Sequence, residues 1–172
     1  ETQISASDGI YMGGGNSFLL VHELHRLAIV DVIKEAVLGG VPYVGVSAGS
    51  NVACPTMMTT NDMPILLPET FDSLGIVPFQ INPHYYPGKI TFHHEGAAHS
   101  HYGESRAQRI SEYHVLHDIP VLGMWEGSYI TWDGQEGLLI GNAVAFYPDG
   151  RSVDLMDGAV FDGSLSHRQS SA

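Results

Sequence analysis

The chain has 172 residues, 44% of them apolar and 15% charged, which is enough for one domain with a sizeable core and too apolar for a disordered chain. Its formal charge of −12, with only 7 Lys and Arg, argues against a nucleic-acid or anionic-membrane partner and points to small substrates. No run of about 18 apolar residues crosses a bilayer and no basic-then-apolar leader opens the chain, so a soluble cytoplasmic protein is expected. Cys54 is the only cysteine; it excludes an intrachain disulfide and a Cys-rich zinc site, fits a reducing compartment, and reads as a small buried hydrophobe.

The first residues, "ETQISASDG", are polar and lack Met, as expected of a fragment. "GIYM" (9–12) reads as a short buried strand running into the glycines of "GGGN", with Asn16 placed as a helix N-cap. From Ser17 to Leu38 the pattern is helical, but its apolar stripe shifts near Arg26 to Ile29, which predicts two successive helices ended by Gly39 and Gly40. "PYVGV" (42–46) is the next strand and "SAGSNVAC" the next helix, stopped by Pro55. "GIVPFQINPH" (75–84) reads as a strand ending at a histidine. A Gly- and His-rich surface loop follows, then a helix from about Glu104 to Leu116 and a strand "PVLGM" (120–124) ending at Trp125 and Glu126.

Strands alternating with helices predict an α/β fold with a mostly parallel sheet. Beyond Glu126 short β-rich pieces lie between Asp133-Gly134, Gly141-Asn142 and Asp149-Gly150, a succession of antiparallel hairpins. No repeat or linker divides the chain, so residues 1–162 form one expected domain and "GSLSHRQSSA" (163–172) a disordered tail.

"GVSAG" (45–49) is the G-x-S-x-G pattern, in which a serine sits on a sharp strand-to-helix turn. That turn lifts the Ser47 hydroxyl clear of the sheet and aims the first N–H groups of the helix at the place where an oxyanion would form. A nucleophilic serine needs a base, and the base an orienting partner. His84 and Glu126 stand at the carboxyl ends of two later strands, the edge where doubly wound sheets place their ligand crevice. The order Ser, His, Glu differs from the Ser, acid, His order of α/β-hydrolases, so the five-residue pattern alone does not assign that fold.

"GGGNSF", "GVSAGSNVACPTMMTTNDMPI", "PFQINPH", "ESRAQRI" and "VLGMWEGSYI" together resemble the S51 family of serine peptidases, the aspartyl dipeptidases, over about residues 9 to 147. The resemblance implies a flavodoxin-like sheet related to the class I glutamine amidotransferases, release of an N-terminal aspartate from dipeptides, and no metal or organic cofactor. Ser47 falls on the family's nucleophile, His84 on its histidine and Glu126 on its acid, while Asp62 matches a further aspartate of its active-site region. The oxyanion hole falls on the backbone of Gly14, or Gly15, together with Ala48. The family's domain starts several elements earlier, so the first part of the sheet is expected to be missing from this chain, and a preceding segment becomes a candidate partner. The expected function is a serine exopeptidase for Asp-X dipeptides acting through an acyl-enzyme on Ser47. The alternatives are a cyanophycinase-like peptidase or esterase with the same triad, and a catalytically inactive binding domain.

Two other readings carry less. His93, His94, His99 and His101 crowd together, but "HEGAAH" is one residue too long for H-E-x-x-H and would aim its rings about 140° apart on a helix. The glycines at 13–15 lack the lysine of a phosphate loop. A site for N-terminal aspartate must also hold a carboxylate, best met by a guanidinium. Of the basic residues, Arg26 and Lys34 lie on the early helices, Arg151 and Arg168 in the hairpins and tail, and Lys89 in the long loop. Arg106 and Arg109 remain, and Arg106, in "ESRAQRI", is the expected reader.

Overall fold

The structure is a computed structural model that describes residues 2–88 and 90–168. Lys89 and residues 169–172 of the expected tail lie outside the described residues. A one-turn helix α1 (Thr2–Ser5), which the polar opening did not suggest, precedes the strand β1 (Ile10–Met12) and the helices α2 (Ser17–Arg26) and α3 (Val30–Leu38). The break between α2 and α3 is the expected one: Ala28 takes φ 52° while its N–H and that of Ile29 close on His25 and Leu24 carbonyls, a helix-ending turn more often made by glycine. β2 (Tyr43–Gly45) then leads into α4 (Ala48–Val52).

The predicted strand over 75–84 is shorter and later, β3 (Gln80–Tyr85). Gly75 at φ 59° and Pro78 belong instead to a loop whose N–H groups bond to carbonyls of the α4 segment, as Gly75 does to Cys54 and Ile76 to Ala53. The His-rich segment, expected as a loop, is a β-hairpin, β4 (Thr91–His94) and β5 (Ala97–Ser100). Its turn residues Glu95 and Gly96 both have positive φ, 51° and 78°, the backbone that matches strand twist in two-residue hairpins. α5 (Arg106–Tyr113) and β6 (Val121–Trp125) follow, then the hairpin strands β7 (Tyr129–Trp132), β8 (Glu136–Ile140), β9 (Ala143–Phe146), β10 (Ser152–Leu155), β11 (Val160–Asp162) and β12 (His167–Arg168).

The result is a mixed α/β fold. Parallel pairing joins β1 to β2 and β3 to β6, the strands whose ends carry the candidate residues. β9 and β10 extend the β3–β6 sheet antiparallel, and β12-β11-β8-β7 form a second antiparallel sheet. The expectation of a disordered end fails for residues 163–168: Leu165 is 0% exposed, its carbonyl accepts the Tyr147 hydroxyl at 2.7 Å, and β12 pairs with β11. A single leucine in a polar tail gives no periodicity to read, yet its burial closes the core formed by Phe79, Leu139 and Phe161.

One face of β1–β2 is covered, because Ile10 and Met12 pack against Val21, Leu24 and Ile33 of α2 and α3 and Val52 of α4. On the other face Tyr11 is 70%, Val44 56% and Val46 46% exposed, although parallel strands are ordinarily covered on both faces. The edge of β3 towards α4 is closed by side chains. The Ile81 N–H donates to Cys54 Sγ at 3.1 Å, and the Ile81 carbonyl accepts from Asn51 Nδ2 at 3.0 Å and Thr59 Oγ1 at 2.9 Å.

Burial pushes the Cys54 thiol well above its ordinary range, so the thiol should resist alkylation in the native protein at neutral pH and react once the chain is denatured; rapid native labelling would show that the α4–β3 contact opens. A Cβ on Gly49 would meet the Met12 carbonyl oxygen at 2.0 Å, so Gly49→Ala should lower stability by about 3 kcal/mol in urea titration, at the upper end of overpacking costs.

Candidate active site

The sharp turn between β2 and α4 has the geometry that its function would need. Ser47 sits at φ 54°, ψ −111°, a conformation unusual for a residue with a Cβ and typical of a strained strand-to-helix elbow. Its neighbours make room: a Cβ on Gly45 would lie 2.4 Å from the Gly49 carbonyl oxygen. The chain then turns at once into helix, as the N–H groups of Ser50 and Asn51 both donate to the Ser47 carbonyl.

β3 delivers His84 by a second irregularity. The β3–β6 register shifts between Asn82 and Tyr85, and His84 takes φ 55°; a bulge of this kind bends a strand and re-aims a side chain. His84 Nε2 then lies 2.9 Å from Ser47 Oγ, and Nδ1 lies 2.6 Å from Glu126 Oε2 at the end of β6. Glu126 is 80% exposed, so its pairing with the imidazole adds little stability. The three residues singled out from sequence therefore form one continuous hydrogen-bonded chain.

The glycine loop lies against the serine, since a Cβ on Gly14 would meet Ser47 Cβ at 3.4 Å. Gly15, at φ 145°, has a conformation that side chains rarely adopt. Ala48 is the first residue of α4, and its N–H is among those that a helix leaves without an intrahelical acceptor.

Asp62 is placed beside this loop. Its Oδ2 accepts from both the backbone N–H and the hydroxyl of Ser17 at 2.7 Å, while Asn16 caps α2 through the Leu19 N–H and donates to the Met63 carbonyl at 2.9 Å. Arg106 opens α5 just after its N-cap Ser105, a position where a cation meets the unfavourable end of the helix dipole. Its Nη1 is buried without a hydrogen-bond partner among the described residues. Burial lowers its pKa, the Arg109 charge adds to this, and the Asp62 carboxylate acts in the opposite direction. Arg109 instead pairs with Glu104 at 3.5 Å.

Residues that sequence reading missed hold the histidine strand. Asn82 Nδ2 donates to the Thr59 carbonyl and to Asn61 Oδ1, and Asn61 Nδ2 donates to the carbonyl of Pro83, directly before His84. The signal was the density of Thr and Asn in "TTND" facing "INP". Among the described residues no three His, Cys, Asp or Glu side chains come together as a metal-holding group. No helix among them is long and apolar enough to cross a membrane.

Residues 1–140 match the sequence profile of peptidase family S51. Peptidase E of Streptomyces coelicolor is 44% identical over 142 residues, covering 81% of this chain and 54% of the relative. Peptidase E of Shewanella amazonensis is 46% identical over 145 residues, covering 84% and 58%. A Drosophila melanogaster protein described as a "Probable alpha-aspartyl dipeptidase" is 41% identical over 158 residues, covering 90% and 63%. The chain thus spans between 54% and 63% of the length of these relatives. A crystal structure of a Listeria monocytogenes protein superimposes with a TM-score of 0.54 at 21% identity, covering 90% of this chain and 62% of that one, and so shares the fold. From the profile match and these identities, the chain belongs to peptidase family S51.

Proposed function

We propose that this chain carries the active site of a serine exopeptidase that removes an N-terminal aspartate from short peptides. The observation that carries the reading is the run Ser47 Oγ–His84 Nε2 at 2.9 Å and His84 Nδ1–Glu126 Oε2 at 2.6 Å. Ser47 attacks the peptide carbonyl while His84 takes its proton. The backbone N–H of Ala48 and of Gly14 or Gly15 receives the oxyanion. His84 then passes the proton to the leaving amine, Glu126 stabilises the imidazolium, and water releases aspartate from Ser47 by the same steps in reverse.

Arg106 takes the substrate's side-chain carboxylate. Its buried, unpartnered Nη1 supports this role, because a carboxylate would supply the missing acceptor. Asp62, beside the glycine loop, supplies a carboxylate for the substrate's α-ammonium. The cytoplasm is the compartment we assign, on the single thiol and acidic composition.

A second reading, a binding domain without catalysis, is favoured by the exposed face of β1–β2, which adjoins the serine turn. Covering that face with a preceding segment would hold the turn in place. A fluorophosphonate separates the two readings: an activated Ser47 is labelled and an inert one is not. Assays of Asp-Leu, β-aspartyl-arginine polymer and simple esters separate the dipeptidase from a cyanophycinase-like enzyme or an esterase.

Ser47→Ala and His84→Ala should each lower turnover by several orders of magnitude, and the double variant should cost little more than either alone, as for residues acting as a unit. Glu126→Gln should cost less. Arg106→Met should lower kcat/KM for Asp-Leu by roughly 10²-fold while leaving fluorophosphonate labelling of Ser47 nearly unchanged; a change within about threefold would remove Arg106 from the site. Activity should persist through prolonged chelation, since this mechanism uses no Lewis acid.

A further inference from the structure

A cavity of about 290 Å³ opens beside Ser47, and its lining separates it from the aspartate-reading side of the site. Ser47, His84 and Glu126 are part of its lining, together with Val46, Ile81, Pro83, Met124, Trp125 and Tyr129. None of the glycine loop, Asp62 or Arg106 lines it, and it contains no Lys or Arg. Trp125 and Tyr129 are 37% and 55% exposed and Val46 46%, a local concentration of accessible apolar surface in the cavity that His84 also lines.

The chemistry orients a substrate across these two sides. His84 must return its proton to the leaving nitrogen, so that nitrogen lies on the histidine side of Ser47. The residue attached to it therefore enters the space that begins at His84 and Glu126. We propose that this cavity is the subsite for the leaving residue, with Trp125 and Tyr129 as its specificity-determining walls, and that it selects apolar, above all aromatic and branched, second residues. The proposal rests on the exopeptidase reading given above.

The wall is built and held. Ser128 Oγ donates to the Asn142 carbonyl and accepts from the Asn142 N–H, both at 2.9 Å, and the Trp125 N–H donates to the same carbonyl at 3.2 Å. The turn between β6 and β7 is thereby fixed to the start of β9, with Trp125 and Tyr129 on either side of it. An acidic second residue would add a side-chain carboxylate to the α-carboxylate that every leaving residue of a dipeptide carries, beside Glu126 and with no cation in the lining, and is disfavoured relative to neutral ones.

The test compares Asp-Phe, Asp-Leu, Asp-Gly, Asp-Lys and Asp-Glu by kcat/KM on the parent chain and on Tyr129→Ala, Trp125→Ala and Tyr129→Glu. Fluorophosphonate labelling of Ser47 in each variant reports an intact triad. The parent should cleave Asp-Phe and Asp-Leu about 10-fold or more faster than Asp-Gly and Asp-Glu, the scale set by filling or leaving empty an apolar pocket. Each alanine variant should lose roughly 5- to 10-fold on Asp-Phe while changing little on Asp-Gly. Tyr129→Glu should raise Asp-Lys relative to Asp-Leu. A flat preference in the parent, or equal losses on Asp-Phe and Asp-Gly in labelled variants, overturns the subsite. Failure of every Asp-X peptide together with absent labelling of Ser47 in the parent is a different result, and overturns the exopeptidase reading itself.

Discussion

The backbone of Ser47 is held at φ 54° by a contact with no slack, the approach of α4 to β1 at Gly49. A serine in that conformation costs of order 1 kcal/mol or more, and the cost persists because Gly45 and Gly49 let three segments pass where any side chain would collide. The helix must start immediately after the serine, its first N–H groups must face the same space as the hydroxyl, and the glycine loop after β1 must close over both. Residues distant in sequence, Met12 and Gly14 among them, are thus set by the same turn. The hydroxyl is presented by packing.

The histidine is presented differently. Among the described residues β3 has no strand partner on its α4 side, and Asn51, Cys54, Thr59 and Asn61 bond its backbone from Ile81 to Pro83. That anchoring ends where the bulge begins, so His84 turns out of the ladder at a defined place. Glu126 needs less support, being an exposed residue at a strand end, in keeping with an orienting role. Positional control therefore falls from Ser47 to His84 to Glu126, in step with how directly each group would meet the substrate.

Much of this was legible in the sequence, because the site lies at strand ends and strand ends are punctuated. "GVSAG", "INPH" and "MWEG" each place a chemically active residue where an apolar run stops, and the structure brings all three into hydrogen-bond contact. The α2–α3 break was also readable, from the shift of the apolar stripe. What was not legible depended on partners remote in sequence. "GIVPF" looks like a strand by composition, yet its backbone bonds to the α4 segment. The histidine hairpin is an exposed ribbon with no buried face, so it has no alternation to detect. Leu165 is buried by its surroundings alone. Arg106 and Arg109 share the segment "ESRAQRI", from which Arg106 was the expected reader; the fold adds the physical difference, with Arg109 engaged by Glu104 while Arg106 keeps a buried nitrogen without an acceptor among the described residues.

The proposed activity depends on one step, acylation of the strained Ser47 hydroxyl by aspartate. The most direct measurement is rapid quenching of the reaction with an activated aspartyl ester, followed by peptide mapping in a mass spectrometer. An aspartyl adduct on the peptide containing Ser47 is expected, formed before free aspartate appears and absent in His84→Ala. Turnover of the ester without an adduct, or with an adduct on another residue, would contradict it.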